Sequence, residues 1–298
     1  MQRYSTYLLT VILFATLAIA QQKPADHPSQ ALRTTSNVPS EETVQGFLQQ
    51  MFGYDKPDLS WKIEKIKPSP ARGLTEVDVL LQGQHGPQDL KFYVTEDGKH
   101  AIAGDLLPFG EHPFEAKRKE LQSSVFGPSR GPANAPVTIV EFSDLECPHC
   151  KEMQPILEKL ITEDKNIKLV FQNFPLPSHD WAKKAAGYAD CIGRENNDAF
   201  WKFIASVYNS QTDITAANAD QKLTALADQA GVKGSDVAAC AAKPETESRV
   251  EKSLNLGKQV DVTATPTLFI NGRPIPGGPP YEVLKKLVDF AARESAAK

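Results

Sequence analysis

Val137-Thr138-Ile139-Val140-Glu141-Phe142-Ser143-Asp144-Leu145-Glu146-Cys147-Pro148-His149-Cys150 is the stretch on which the fold turns. Its first half, with Val137, Ile139, Val140 and Phe142, is a nearly continuous apolar run, as expected of a central strand buried on both faces. After the second cysteine, Met153, Ile156, Leu157, Leu160 and Ile161 recur at helical spacing, so the cysteines stand where a strand hands over to a helix. Downstream, Ile167 to Phe174 reads as a second buried strand ended by Pro175-Leu176-Pro177. A long helical region follows from about 181 to 258, with Phe200, Phe203, Ile204, Val207 and Tyr208 on one face and Gly231 as a stop. Thr267 to Ile270 is then a strand, Asn271-Gly272 a tight turn and Tyr281 to Arg293 a terminal helix. The order is strand, helix, strand, helical insertion, strand, turn, helix: an α/β domain over 127–298.

The spacing of Cys147 and Cys150 suits thiol–disulfide exchange. A thiolate attacks a disulfide sulfur, so a redox centre needs one accessible cysteine of low pKa and a second within reach to resolve the mixed disulfide. Cys147 at a helix start would have its charge stabilised by unpaired N–H groups and the dipole, with Cys150 one turn inward. Pro148 fits the first turn, where its missing N–H would be unpaired anyway. His149 would tune the pair if it donates to the Cys147 thiolate; a solvated imidazole without effect is the plainer reading. A zinc site would need two further ligands at close spacing, and haem attachment would need histidine where Lys151 stands, so no metal or cofactor is expected.

The chain carries 298 residues, enough for two domains, and its net charge of −4 leaves no basic stripe for nucleic acid. Arg3, the apolar run Leu8 to Leu17 and Ala18-Ile19-Ala20 read as a signal peptide over 1–20, too short for the roughly 18 to 20 apolar residues that span a bilayer. The expected location is therefore the periplasm or another extracytoplasmic space, where disulfides persist. Of the four cysteines, the leftover pair Cys191 and Cys240 then suggests a structural bridge. Residues 21–39, polar and with three prolines, read as a linker. A small α+β domain over 40–107 follows. It has a helix capped by Ser40 with Val44, Phe47, Leu48 and Met51 on one face, three strands by alternation, a turn at Gly86-Pro87 and another at Asp97-Gly98. Residues 108–126, rich in charge, read as a connecting helix.

Strand, CPHC and helix, taken with Phe142-Ser143-Asp144 before them and Thr265-Pro266-Thr267 before the next strand, resemble the DsbA-like branch of the thioredoxin family over 127–298. The resemblance implies a thioredoxin fold with a helical insertion. It makes Cys147 the nucleophile, Cys150 the resolving cysteine, His149 the tuning residue and Pro266 a cis-proline that, with Thr265, faces substrate. Glu141 matches a buried acid that assists proton transfer, although an edge-exposed glutamate fits the residues equally well. Phe92 to Gly104 resembles the N-terminal domain of DsbC-type isomerases, which implies a homodimer.

The expected activity is an exported oxidase that donates its Cys147–Cys150 disulfide to reduced exported proteins and is reset by a membrane redox partner. The alternatives are a dimeric isomerase or reductase acting on misoxidised proteins, and a peptide-binding chaperone without redox turnover.

Overall fold

A computed structural model describes residues 38–55, 59–83, 86–104 and 106–296. The expected signal peptide and nearly all of the linker lie outside the described residues. The chain divides into two compact units, the first ending in sequence at Gly104.

In the first unit, helix α1 (Glu41–Phe52) begins at Ser40, whose hydroxyl accepts from the Thr43 N–H at 3.2 Å, with Glu41 and Glu42 complementing the dipole. Four antiparallel strands follow in spatial order: β1 (Ser60–Pro68), β2 (Leu74–Gly83), β3 (Gly86–Thr95) and β4 (Ala101–Ala103). Val77 and Val79 pair with Phe92 and Leu90. With Val44 and Leu48 from α1, Val77, Val79 and Phe92 form a small core on one face of the sheet. Two expectations are corrected. Phe47 and Met51 lie at the rim of the α1 face rather than in the core, 37% and 49% exposed, with the Phe47 ring 5.4 Å from that of Phe92, while Val44 and Leu48 are buried. Gly86 and Pro87 open β3 rather than forming the turn, paired with Gly83 and Gln82. Pro87 contributes no N–H and is tolerated at the strand's start.

The second unit is built on a five-stranded sheet of order β5-β7-β6-β8-β9. Its first helix, α2 (Glu115–Ser124), is followed by the short edge strand β5 (Ser129–Arg130). Central strand β6 (Val137–Ser143) leads into α3 (Pro148–Glu163) and then β7 (Ile167–Asn173), which is parallel to β6. The helical insertion resolves into α4 (Ala182–Glu195), α5 (Asn197–Asn209), α6 (Ala219–Ala230), α7 (Gly234–Ala241) and α8 (Pro244–Gln259). Gly231 ends α6 in the left-handed conformation that glycine adopts without strain. The chain finishes with the hairpin β8 (Thr267–Ile270) and β9 (Arg273–Pro276) and helix α9 (Tyr281–Ala296).

Both faces of the sheet are covered, which is why β6 carries no polar alternation. Val137, Ile139 and Leu268 pack with Met153, Leu157 and Leu160 of α3 and Leu284 and Val288 of α9. On the other face, Val140, Phe142 and Phe269 pack with Leu256 of α8 and Leu121 of α2. Thus α2, expected as a connector, is part of this unit: one apolar side chain docks it, and Lys117 bonds the Val260 carbonyl at 3.0 Å and Asp261 at 2.9 Å. The positive φ of Gly272 and its approach to α2, where a Cβ would come within 2.5 Å of the Phe114 carbonyl and the Arg118 nitrogen, explain glycine at that turn. Among the described residues no helix is long and apolar enough to cross a membrane.

Candidate active site

Strand β6 ends at Ser143, three residues turn the chain, and Cys147 becomes the N-cap of α3 with Pro148 in its first turn. The turn is clamped from the insertion side. Asp144, buried, accepts from the Glu146 and Leu176 N–H groups at 2.7 Å each, and its Oδ2 lies 2.8 Å from His179 Nδ1. Glu146 accepts from the Trp181 N–H at 2.7 Å, while the Gln211 amide donates to the carbonyls of Leu145 and Cys147 at 2.8 and 3.0 Å. None of these clamping contacts was expected. Each joins positions more than thirty residues apart or turns on a side-chain angle, and no local pattern marks it.

The two thiols are free and have unlike surroundings. Cys150 is fully buried and receives the Asp144 N–H at 3.4 Å. Burial, then the neighbouring Cys147, pushes its pKa far above the ordinary thiol range. For Cys147 the direction is opposite: the Cys150 side chain first, then the Thr265 hydroxyl and the backbone N–H groups of Cys150 and His149, hold its pKa down to about 5. Cys147 was expected to be accessible, yet only 4% of it is exposed, since the Thr265 carbonyl lies 3.5 Å from its sulfur. The bond between Thr265 and Pro266 is cis, and this loop faces Cys147.

His149 is 73% exposed in its side chain, and its Nδ1 lies 3.2 Å from Glu152 Oε2. Thus what the structure gives Cys147 from His149 is the backbone N–H, with the imidazole turned to its i+3 neighbour. Glu141 is buried, not at an edge, because β6 has β7 on one side and β8 on the other. Gln154 donates to its Oε1 at 2.9 Å, Oε2 has no hydrogen-bond partner, and burial raises its pKa to about 7. Cys191 and Cys240 are joined in a disulfide between α4 and α7, within the insertion.

A fold of this topology with a CPHC dithiol at the strand-to-helix turn and a facing cis-proline defines a class, and comparison with known proteins agrees. A family model described as thioredoxin matches residues 123–290, more than half of the sequence, and the chain belongs to that family. A second model, described as the N-terminal domain of disulfide bond isomerase proteins, matches residues 35–110. The chain is 31% identical over 163 residues to the Na(+)/H(+) antiporter NhaA 1 of Salinispora arenicola, covering 54% of this chain and 24% of the antiporter. It therefore spans only about a quarter of that relative. Disulfide bond formation protein D of Bacillus subtilis is 27% identical over 210 residues, covering 65% of this chain and 83% of that protein. The crystal structure of oxidised BdbD from Bacillus subtilis matches with a TM-score of 0.52 at 26% identity, over 57% of this chain and 98% of that one. The DsbA-like resemblance and the thioredoxin fold are thereby borne out.

Proposed function

We propose that this protein is an exported thiol–disulfide oxidoreductase that introduces disulfides into reduced exported proteins through Cys147 and Cys150. The observation that carries the reading is the asymmetry of the pair. A thiolate held near pKa 5 at the helix start leaves readily from a mixed disulfide, and a buried partner of high pKa stays protonated until it is needed. Stabilising the Cys147 thiolate stabilises the reduced form and so makes the disulfide oxidising, which favours the oxidase direction. Substrate thiolate attacks Cys147 Sγ, Cys150 leaves and is protonated, and a second substrate thiol displaces Cys147. The Thr265–Pro266 loop, opposite Cys147, is where an extended substrate segment would lie. A membrane redox partner then removes two electrons from the dithiol. Export rests on the Leu8 to Leu17 run and on similarity to a protein named for disulfide bond formation.

One observation favours a second reading. Residues 35–110 match the N-terminal domain of disulfide bond isomerase proteins, so the first unit is a candidate dimerisation module and the activity would be isomerisation by a dimer kept reduced. Two substrates separate the readings. An oxidase restores activity to a fully reduced client with the oxidised protein as its source of disulfides; an isomerase acts on a scrambled client and must start reduced. Replacing Cys147 and Cys150 by serine abolishes both activities, and retained protection of a client from aggregation would leave only a chaperone.

A further inference from the structure

Cys150 must exchange a proton in every turnover, because it is buried and leaves or attacks as a thiolate. The route is set by how α3 lies on β6. Since β6 and β7 are parallel, the helix between them runs back along β6. Glu141 and Ser143, two apart on the strand, point to one face about 6.6 Å apart, and Cys150 and Gln154, one turn apart on the helix, are separated by about 6 Å. The spacings match. Gln154 meets Glu141 at 2.9 Å, which places Cys150 over Ser143 and leaves the Glu141 carboxyl about one turn from the sulfur. Ser143 is buried, and its Oγ lies 2.9 Å from the hydroxyl of Tyr208, itself buried.

We propose that Ser143 is the proton relay between Cys150 and Glu141, oriented by Tyr208. This deepens the thiol–disulfide reading above and rests on it. A serine hydroxyl has one proton and two lone pairs. With Tyr208 donating to one lone pair, Ser143 can turn its own proton to the Cys150 sulfur and its second lone pair to the Glu141 acid, whose buried Oε2 has no hydrogen-bond partner. The Ser143 hydroxyl pulls the pKa of Glu141 and, more weakly, of Cys150 downward against burial, as a donor lying near both would. Besides Ser143 and Gln154, Glu141 interacts with Arg130 from β5 and Tyr208 from α5, with Phe171 and Leu268 beside it on β7 and β8.

Oxidised glutathione is a suitable probe. The Cys147 thiolate attacks one of its sulfurs, the glutathione disulfide breaks, and one glutathione thiolate leaves a mixed disulfide on Cys147. Cys150 then passes its proton to Ser143 as Ser143 passes its own to the Glu141 carboxylate. The resulting thiolate attacks Cys147 Sγ, and the second glutathione leaves as thiolate with the bonding pair. Two electrons move from the dithiol to oxidised glutathione. When the enzyme oxidises a substrate the proton runs the other way, from the Glu141 acid through Ser143 to the leaving Cys150. In the glutathione direction the relay needs Glu141 as carboxylate, so resolution speeds up as pH rises through about 7.

The test is acid-quenched mass spectrometry of the mixed disulfide over a pH series in the full chain. Ser143→Ala should slow resolution roughly tenfold or more, flatten its rise through neutrality and leave formation of the mixed disulfide unchanged. Ser143→Thr should restore the rate, and Ser143→Ala with Glu141→Gln should be no slower than the slower single variant. If Ser143→Ala does not fold, Tyr208→Phe, which removes only the orienting hydroxyl, should slow the same step severalfold. Wild-type resolution in the variant that folds, or multiplying effects of the Ser143 and Glu141 changes, overturns the relay. The functional reading fails separately: a wild-type chain that resolves glutathione but oxidises no reduced protein client refutes that reading and leaves the relay standing.

Discussion

Cys147 and Cys150 are the same residue type three positions apart, and their environments drive them in opposite directions. Reduced protein should therefore alkylate at Cys147 alone, with a pH midpoint near 5, while Cys150 stays unmodified through neutral pH. Peptide mapping after iodoacetamide at a series of pH values checks this, and labelling of Cys150 first would reverse the assignment. Glu141 makes a stability prediction. Its folded pKa, raised to about 7 from an ordinary carboxyl value of 4.5, means the folded chain holds a proton that the unfolded chain releases between those pH values. Stability conferred below pH 4.5 is thus lost as pH rises to 7, by roughly 3 kcal/mol at 1.36 kcal/mol per unit. Glu141→Gln, which cannot ionise, should be more stable than wild type at pH 8 by that order and about equal to it at pH 4. Urea unfolding at the two pH values measures the difference.

At the scale of elements, the close contact of α8 with the sheet hangs on Gly257. A Cβ there would come 2.4 Å from the Phe174 ring and 3.2 Å from Phe142, and both rings are locked in the core between α8 and β6. Gly257→Ala should destabilise by about 2 kcal/mol, in the range of overpacked cores, and a thermal melt reads it. The insertion has a covalent tie as well. Cys191 and Cys240 are 49 residues apart, so the disulfide should contribute roughly 4 kcal/mol on the chain-entropy view. Replacing both by serine should lower stability by that order with glutathione exchange at Cys147 unchanged. Loss of exchange in the folded variant would assign this bridge a redox role instead.

For the whole molecule, the division at Gly104 separates a small apolar core, with five buried side chains among the described residues, from the redox unit. A sheet with so little buried on one face gains from a partner, and on the dimer reading that partner is a second copy of this unit. Full-length protein should then sediment as a dimer, and a chain lacking residues 21–104 as a monomer with increased oxidase and lost isomerase turnover. A full-length monomer at micromolar concentration, with activity unchanged by truncation, rejects the dimer.

The sequence alone carried the strand β6, the CPHC turn and the helix α3, because an apolar run, helical periodicity and an N-terminal proline are local signals read within a few residues. It carried the cis-proline and the buried acid only through resemblance: nothing in the spacing of Glu141 says which side of a sheet its strand will occupy. Short strands β5 and β9 were illegible, since β5 is two residues paired to the distant β7 and β9, with prolines at two of its four positions, lacks the apolar run that marks β8. The docking of α2 was hidden for a similar reason: one leucine and one lysine commit it, and their partners lie beyond residue 137. Tertiary structure alone decided that the Thr265 loop nearly covers Cys147 and that Asp144, His179 and Gln211 hold the active-site turn. The physical reason is range. Periodicity and capping act over one or two turns, whereas burial, the field at a thiol and the partner of a buried hydroxyl are set by whichever distant segments the fold brings within a few ångströms.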